Sequence, residues 1–163
     1  MKTDLQKQKT DNLSNSNIME KLVDEGVKFH GHLGPFLVLG LKAGLFANDI
    51  LGKDCFEMHV TVETETSPPF SCVVDGIQIT TGCTMGKRNI MLKKGNGLSV
   101  TFTRGEKRLR IRLKDEVLED LRNLKSREKS ERKALSLINQ SIHELFDLEG
   151  QPLSRIRKIK AVQ

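Results

Sequence analysis

The chain has 163 residues, three cysteines and a formal net charge of +6, with no tryptophan or tyrosine and seven phenylalanines as its only aromatic residues. This length suits one domain with appendages rather than two full domains, and so few aromatics leave little surface on which single-stranded nucleic acid could stack. Three cysteines without regular spacing argue against a disulfide framework and for reduced thiols in a cytoplasmic setting.

The first segment, residues 1–17, is polar, lacks the apolar core of a signal peptide and reads as a disordered tail. Asn17 followed by Glu20 matches a capping box, and Ile18, Met19, Leu22, Val23 and Val27 give one apolar face, so a helix is expected from there to about Lys28. His30-Gly-His32 then leads to Pro35, a residue suited to the first turn of a helix. The helix expected from Pro35 to Leu51 carries one charge, Lys42, before Asp49. It must therefore be covered on nearly every face, and its length and charges make a membrane span unsuitable. Gly40 and Gly44 lie one turn apart and allow another backbone close. Packing on a sheet is the expected use, ahead of a dimer contact.

Phe56–Val62 alternates apolar and polar residues as a half-buried strand does, with His59 on the polar side. Ser67-Pro-Pro69 interrupts, and Ser71 is placed to cap a short helix starting at Cys72. A cysteine in a first helical turn is favoured as thiolate by the peptide dipoles, although an inert buried cysteine fits the same pattern. Residues Gly82 to Asn89 form a glycine-containing loop with Lys87 and Arg88. It differs from a nucleotide-triphosphate loop in spacing and has arginine where a hydroxyl should bind magnesium. A small anion held by its amides and Lys87 is one reading; a structural turn is the other.

Three further strands are expected at Ile90–Leu92, Leu98–Thr103 and Leu109–Leu113. The last of these places Arg108, Arg110, Arg112 and Lys114 on one face. These features predict an α+β fold in which an antiparallel sheet packs with helices, followed by a basic helical extension. The expected organisation is a tail at 1–17, a core domain at 18–114 and the extension at 115–163. In the extension, Asp115 would cap a helix reaching Leu124, and a second would span about Lys129 to Phe146. The charged stretch from Lys125 to Lys133 reads as a hinge or bridge. Basicity is concentrated here, since residues 1–105 carry twelve basic and eleven acidic groups and residues 106–163 fifteen and ten. A solvated surface is the ordinary reading of such charge, and a nucleic-acid contact through Arg108, Arg110, Arg112, Lys158 and Lys160 is the alternative.

His30 and His32, two imidazoles around one glycine, together with the thiols of Cys72 and Cys83, make a candidate set for a divalent transition metal. Nitrogen and sulfur donors suit zinc, iron, nickel or copper better than magnesium. A different arrangement of the same residues would be an enzyme acting on an anionic small molecule, with Cys72 as nucleophile, Asp75 orienting a partner and Lys87 assisting at the anion.

The three segments Phe29-His-Gly-His-Leu-Gly-Pro-Phe36, Cys72-Val-Val-Asp-Gly-Ile-Gln78 and Thr81-Gly-Cys-Thr-Met-Gly-Lys-Arg-Asn89, in this order, resemble the FmdE family over about residues 18–113. That family takes its name from a component of molybdenum formylmethanofuran dehydrogenase. The resemblance implies an α+β core that dimerises, a metal-binding or active-site pocket at His30, His32, Cys72, Asp75 and Cys83, and a Gly-Lys turn at Lys87. It further implies a protein accessory to formylmethanofuran dehydrogenase subunits or to related one-carbon and molybdenum-enzyme metabolism, with zinc the favoured ion. In one respect the chain departs from the pattern. The family motif reads His-Gly-His-x-Cys-Pro, and Gly34 stands in the cysteine's place.

Overall fold

The computed structural model describes residues 4–149, with side chains from Asn17 onward. The basic segment expected at Arg155–Lys160 lies outside them. Among the described residues no helix is long and apolar enough to cross a membrane.

Helix α1 spans Asp4–His30. It takes in most of the segment read from sequence as a disordered tail, and Asn17 lies within it instead of capping it. No proline or glycine occurs before Gly26 to stop a helix. Gly31, at φ 94, ends α1 and donates its amide to the Val27 carbonyl at 2.8 Å. Helix α2, Pro35–Leu51, follows with twelve of its residues buried. Strand β1, Met58–Thr64, then leads to a short 3₁₀ turn at Phe70–Cys72 and to α3, Val73–Thr81.

The glycine stripe of α2 packs on α3, not on the sheet. A Cβ at Gly40 would collide with the Val73 carbonyl, one at Gly76 with the Leu37 carbonyl, and one at Gly44 with the Thr80 hydroxyl. Two helix backbones therefore touch directly, which larger residues at these positions would prevent. Sequence reasoning found the close approach and misassigned the partner, because Gly76 and Thr80 supply the matching small surface from a helix only nine residues long.

The remaining elements are β2 Ile90–Lys94, β3 Ser99–Arg104, β4 Lys107–Leu113, α4 Asp115–Arg122, α5 Arg127–Asn139, α6 Ile142–Leu145 and β5 Phe146–Glu149. They complete an α+β fold whose five-stranded sheet has the order β2-β1-β3-β4-β5. It is mostly antiparallel, but β1 and β2 run parallel, Val60 opposite Ile90 through Thr64 opposite Lys94. The reason is that α3 lies between them in sequence and carries the chain back before β2 begins. Strand β5 is the other departure. Phe146, expected at the end of a helix, pairs instead with Leu113, and Leu148 with Ile111. The long helix predicted there breaks at Gln140, and a capping box between Ser141 and Glu144 starts the single turn of α6.

One face of the sheet, including Met58, Val60, Val62, Val100, Phe102, Ile111 and Leu113, is buried against the helices. Leu118, Leu121, Ala134, Leu137 and Phe146 join the same core, so residues beyond 114 complete it. Lys42 secures α5 to α2 by donating to the Ile138 carbonyl at 2.9 Å, and burial lowers the pKa of its ammonium group. On the opposite face, Arg110 reaches Glu63 at 2.6 Å and Glu149, while Arg112 reaches Asp115 at 3.0 Å. Much of the cationic face predicted for this strand is thus matched by carboxylates of the fold itself.

Candidate functional site at the histidine turn

Three helix ends converge on the site. His30 is the last residue of α1, His32 lies in the turn that Gly31 makes possible, and Asp75 stands in the first turn of α3. The close contact between α2 and α3 brings Asp75 to the mouth of that turn. His30 Nδ1 donates to Asp75 Oδ2 at 2.6 Å, and the His30 side chain is only 10 % exposed. In the neutral imidazole this contact puts the proton on Nδ1 and the lone pair on Nε2. Nε2 is buried and has no hydrogen-bond partner among the described residues. Buried polar atoms are ordinarily satisfied, so an orphan of this kind invites a functional account.

The His32 ring lies 4.6 Å from that of His30, tilted by 35°. Its pKa is lowered, first by burial and then by His30 and Arg127, with Glu131 opposing. His32 is therefore disposed to be neutral near pH 7, the state in which imidazole can donate a lone pair. The two rings open onto a cleft of about 460 Å³ whose other walls are Gly31, Leu33 and, from α5, Arg127 and Ser130.

The remaining candidates divide between the two ends of α3. Cys72 sits at the same end as Asp75, but it, rather than Ser71, is the N-cap residue, and no side chain caps the helix. Its thiol is pushed up in pKa by burial and then by the Asp75 charge. The expected lowering fails because desolvation and a neighbouring carboxylate outweigh the dipole of a short helix. Cys83 follows the helix's other end, about 13 Å away at 1.5 Å per residue. It is fully buried in the core and donates its thiol to the Met58 carbonyl at 3.3 Å.

Lys87 also belongs to that far end, with Nζ on the Gly82 carbonyl and 5.6 Å above the Phe56 ring. The loop around it is closed on itself. The amides of Cys83, Thr84, Met85, Lys87 and Arg88 donate to Thr81 Oγ1, Asn89 Oδ1, Gln78 Oε1, Thr84 Oγ1 and the Met85 carbonyl. Those five N–H groups are committed within the protein and none is aimed at an anion. The structure thus unites His30, His32 and Asp75, sets Cys72 one turn from Asp75, and places Cys83 and Lys87 elsewhere. Among the described residues, no three histidine, cysteine or acidic side chains gather around one point suited to a metal.

Sequence reasoning missed the α5 wall. Arg127 and Ser130 lie in the charged stretch taken for a hinge, and only the fold of α5 over α2 reveals that they face the histidines.

The sequence profile of the family described as "FmdE, Molybdenum formylmethanofuran dehydrogenase operon" matches residues 29–153, from just before His30 to beyond β5. The chain belongs to the FmdE family. Among curated proteins, this FmdE chain is similar to one described as a probable S-adenosyl-L-methionine-binding protein of Archaeoglobus fulgidus. The two are 30% identical over 128 residues, which make up 76% of this chain and 33% of that protein. This FmdE domain therefore corresponds to about a third of its relative's length, and the name of the relative describes the longer protein.

Proposed function

We propose that this FmdE protein binds a divalent transition ion, zinc being favoured, at the histidine turn, and serves as an accessory protein to formylmethanofuran dehydrogenase or a related one-carbon enzyme. The observation that carries the metal reading is the His30 ring: one nitrogen held by a carboxylate, the other buried and unpartnered. A ligating histidine characteristically has its second nitrogen fixed in this way. In this reading His30 Nε2 would be one ligand and His32 a second, with Asp75 orienting the first, and these two imidazoles are the whole of the protein's donor set at the turn. Cys83 has no part in it, and Cys72 stays at the margin as a protonated thiol.

When bound, zinc would supply Lewis acidity to an oxygen donor. The chain's own residues do the rest. Asp75 holds the proton on His30 Nδ1, the Gly31 turn keeps the rings adjacent, and α5 walls the cleft. The family description supports placement beside formylmethanofuran dehydrogenase, and free cysteines fit a cytoplasmic location. A homodimer is part of the same proposal, on the family resemblance. An enzyme built on a Cys72 nucleophile has less support, because the thiol's surroundings disfavour the thiolate.

Metal analysis of protein purified without a histidine tag tests the reading. About one zinc per chain is expected, lost in a His30→Ala, His32→Ala double variant and retained in Cys83→Ser. An absence of metal above background, or its retention in the double variant, overturns the proposal.

A further inference from the structure

The cleft at the histidine turn carries an order of charges from floor to rim. At the floor, the His30 side chain is nine-tenths buried, Asp75 Oδ2 meets its Nδ1 at 2.6 Å, and nothing among the described residues meets Nε2. In the neutral imidazole that second nitrogen is an acceptor, made a better one by the carboxylate behind the ring. Asp75 pairs with no lysine or arginine among the described residues, so its negative charge is met by the His30 ring alone. The group best suited to such a floor is an N–H donor that also bears positive charge.

The α5 wall adds two requirements. Ser130 Oγ donates its proton to the Ser126 carbonyl at 3.1 Å, which leaves its lone pairs as acceptors. Arg127, an exposed side chain, lines the cleft, whereas Glu131, which takes its Nε at 3.2 Å, does not. The other N–H groups of this guanidinium make no hydrogen bond to the described residues. Acceptors and a negative charge at the floor, with a cation at the rim, are the complement of a zwitterion, and about 460 Å³ is the scale of a small-molecule cleft. We propose that the cleft binds small α-amino acids, the ammonium group on His30 Nε2 and Ser130 Oγ and the carboxylate on Arg127. The exposed His32 ring, 4.6 Å from that of His30, is the part of the cover that turns aside. The inference goes beyond the metal reading and stands without it: one lone pair suffices for a hydrogen bond, and an ion on His30 would compete with the ammonium group.

The test uses the full chain in buffer containing a chelator, with the histidine ring nitrogens followed by NMR. Glycine should shift the His30 Nε2 resonance saturably and leave the ring of His59, on strand β1, unmoved. Methylamine, which lacks the carboxylate, should bind about tenfold more weakly, and glycolate, with a hydroxyl in place of the ammonium group, should give no saturable shift. Arg127→Gln should reduce glycine to the affinity of methylamine without altering methylamine itself, and Asp75→Asn should weaken both about tenfold. His32→Ala should tighten glycine binding several-fold by uncovering Nε2. The absence of a saturable shift with glycine, an equal response to glycolate, unchanged glycine affinity in Arg127→Gln, or loss of glycine binding in His32→Ala overturns the inference. Because metal is withheld, each of these results leaves the metal reading where it stood, and a chain that retains no zinc should still bind glycine.

Discussion

The two ends of α3 carry similar residue types and opposite chemistry. At the first end, Asp75 meets the histidine turn with Cys72 a turn away from it, and among the described residues a buried nitrogen is left without a partner. At the second, Cys83, Asn89 and Lys87 are joined to carbonyls and amides of their own surroundings. Cysteine and a neighbouring charge are present at both, so residue type alone does not separate a binding centre from a structural joint. The accounting of hydrogen bonds does. The histidine end retains unused acceptor capacity, as the proposed binding role requires, whereas the far end has consumed its own.

The sharpest way to break the comparison is His30→Ala. It should abolish zinc retention by the untagged protein, measured as metal per chain, while the equivalent loss at the other end, Cys83→Ser, leaves retention unchanged. Asp75→Asn comes next. It keeps a hydrogen-bonding group but removes the charge that orients His30, and zinc affinity should fall by about 10- to 100-fold in a chelator competition. Equal affinity in the variant would make the His30 to Asp75 contact purely structural.

At the far end the effect should appear in stability instead. Asn89 accepts from the Thr84 amide at 2.9 Å and donates to the Cys55 carbonyl at 2.8 Å. Asn89→Ala should therefore destabilise the protein by about 1–3 kcal/mol in denaturant melts, with zinc affinity unaltered. The smallest effect concerns Cys72. Burial and Asp75 raise its pKa, so less thiolate is present at a given pH and alkylation at pH 8 should lag behind a free model thiol. Asp75→Asn should speed that reaction modestly, because it removes only the second of the two causes. Alkylation faster than the model thiol would restore the case for an activated cysteine.

Much of this was legible in the sequence where the signal is local. Alternation marked the sheet face from Met58 to Val62, Pro35 marked the start of α2, and two histidines flanking a glycine marked the turn where the two rings lie side by side. Cys83 could not be placed in this way, since its distance from His30 depends on which end of α3 faces the turn. The α5 wall was hidden for a related reason: Arg127 and Ser130 lie nearly a hundred residues from His30 and belong to a stretch whose composition signals only solvent. Strand β5 contributes four residues, too few for a period to emerge against the apolar residues of the preceding helix. The parallel pairing of β1 with β2 depended on the path of a crossover, which neither strand encodes.

The contact of α2 with α3 through Gly40 and Gly76 has a bearing on how the protein would respond to the metal proposed for the histidine turn. Main chain rests against main chain there, with no long side chains in between to change rotamer and let the helices slide. The spacing between Asp75 and the histidine turn is therefore inherited from the folded scaffold, before any ion arrives. If the proposed metal binds, loading should be a lock-and-key event that leaves the amide-exchange pattern of the distant sheet as it was.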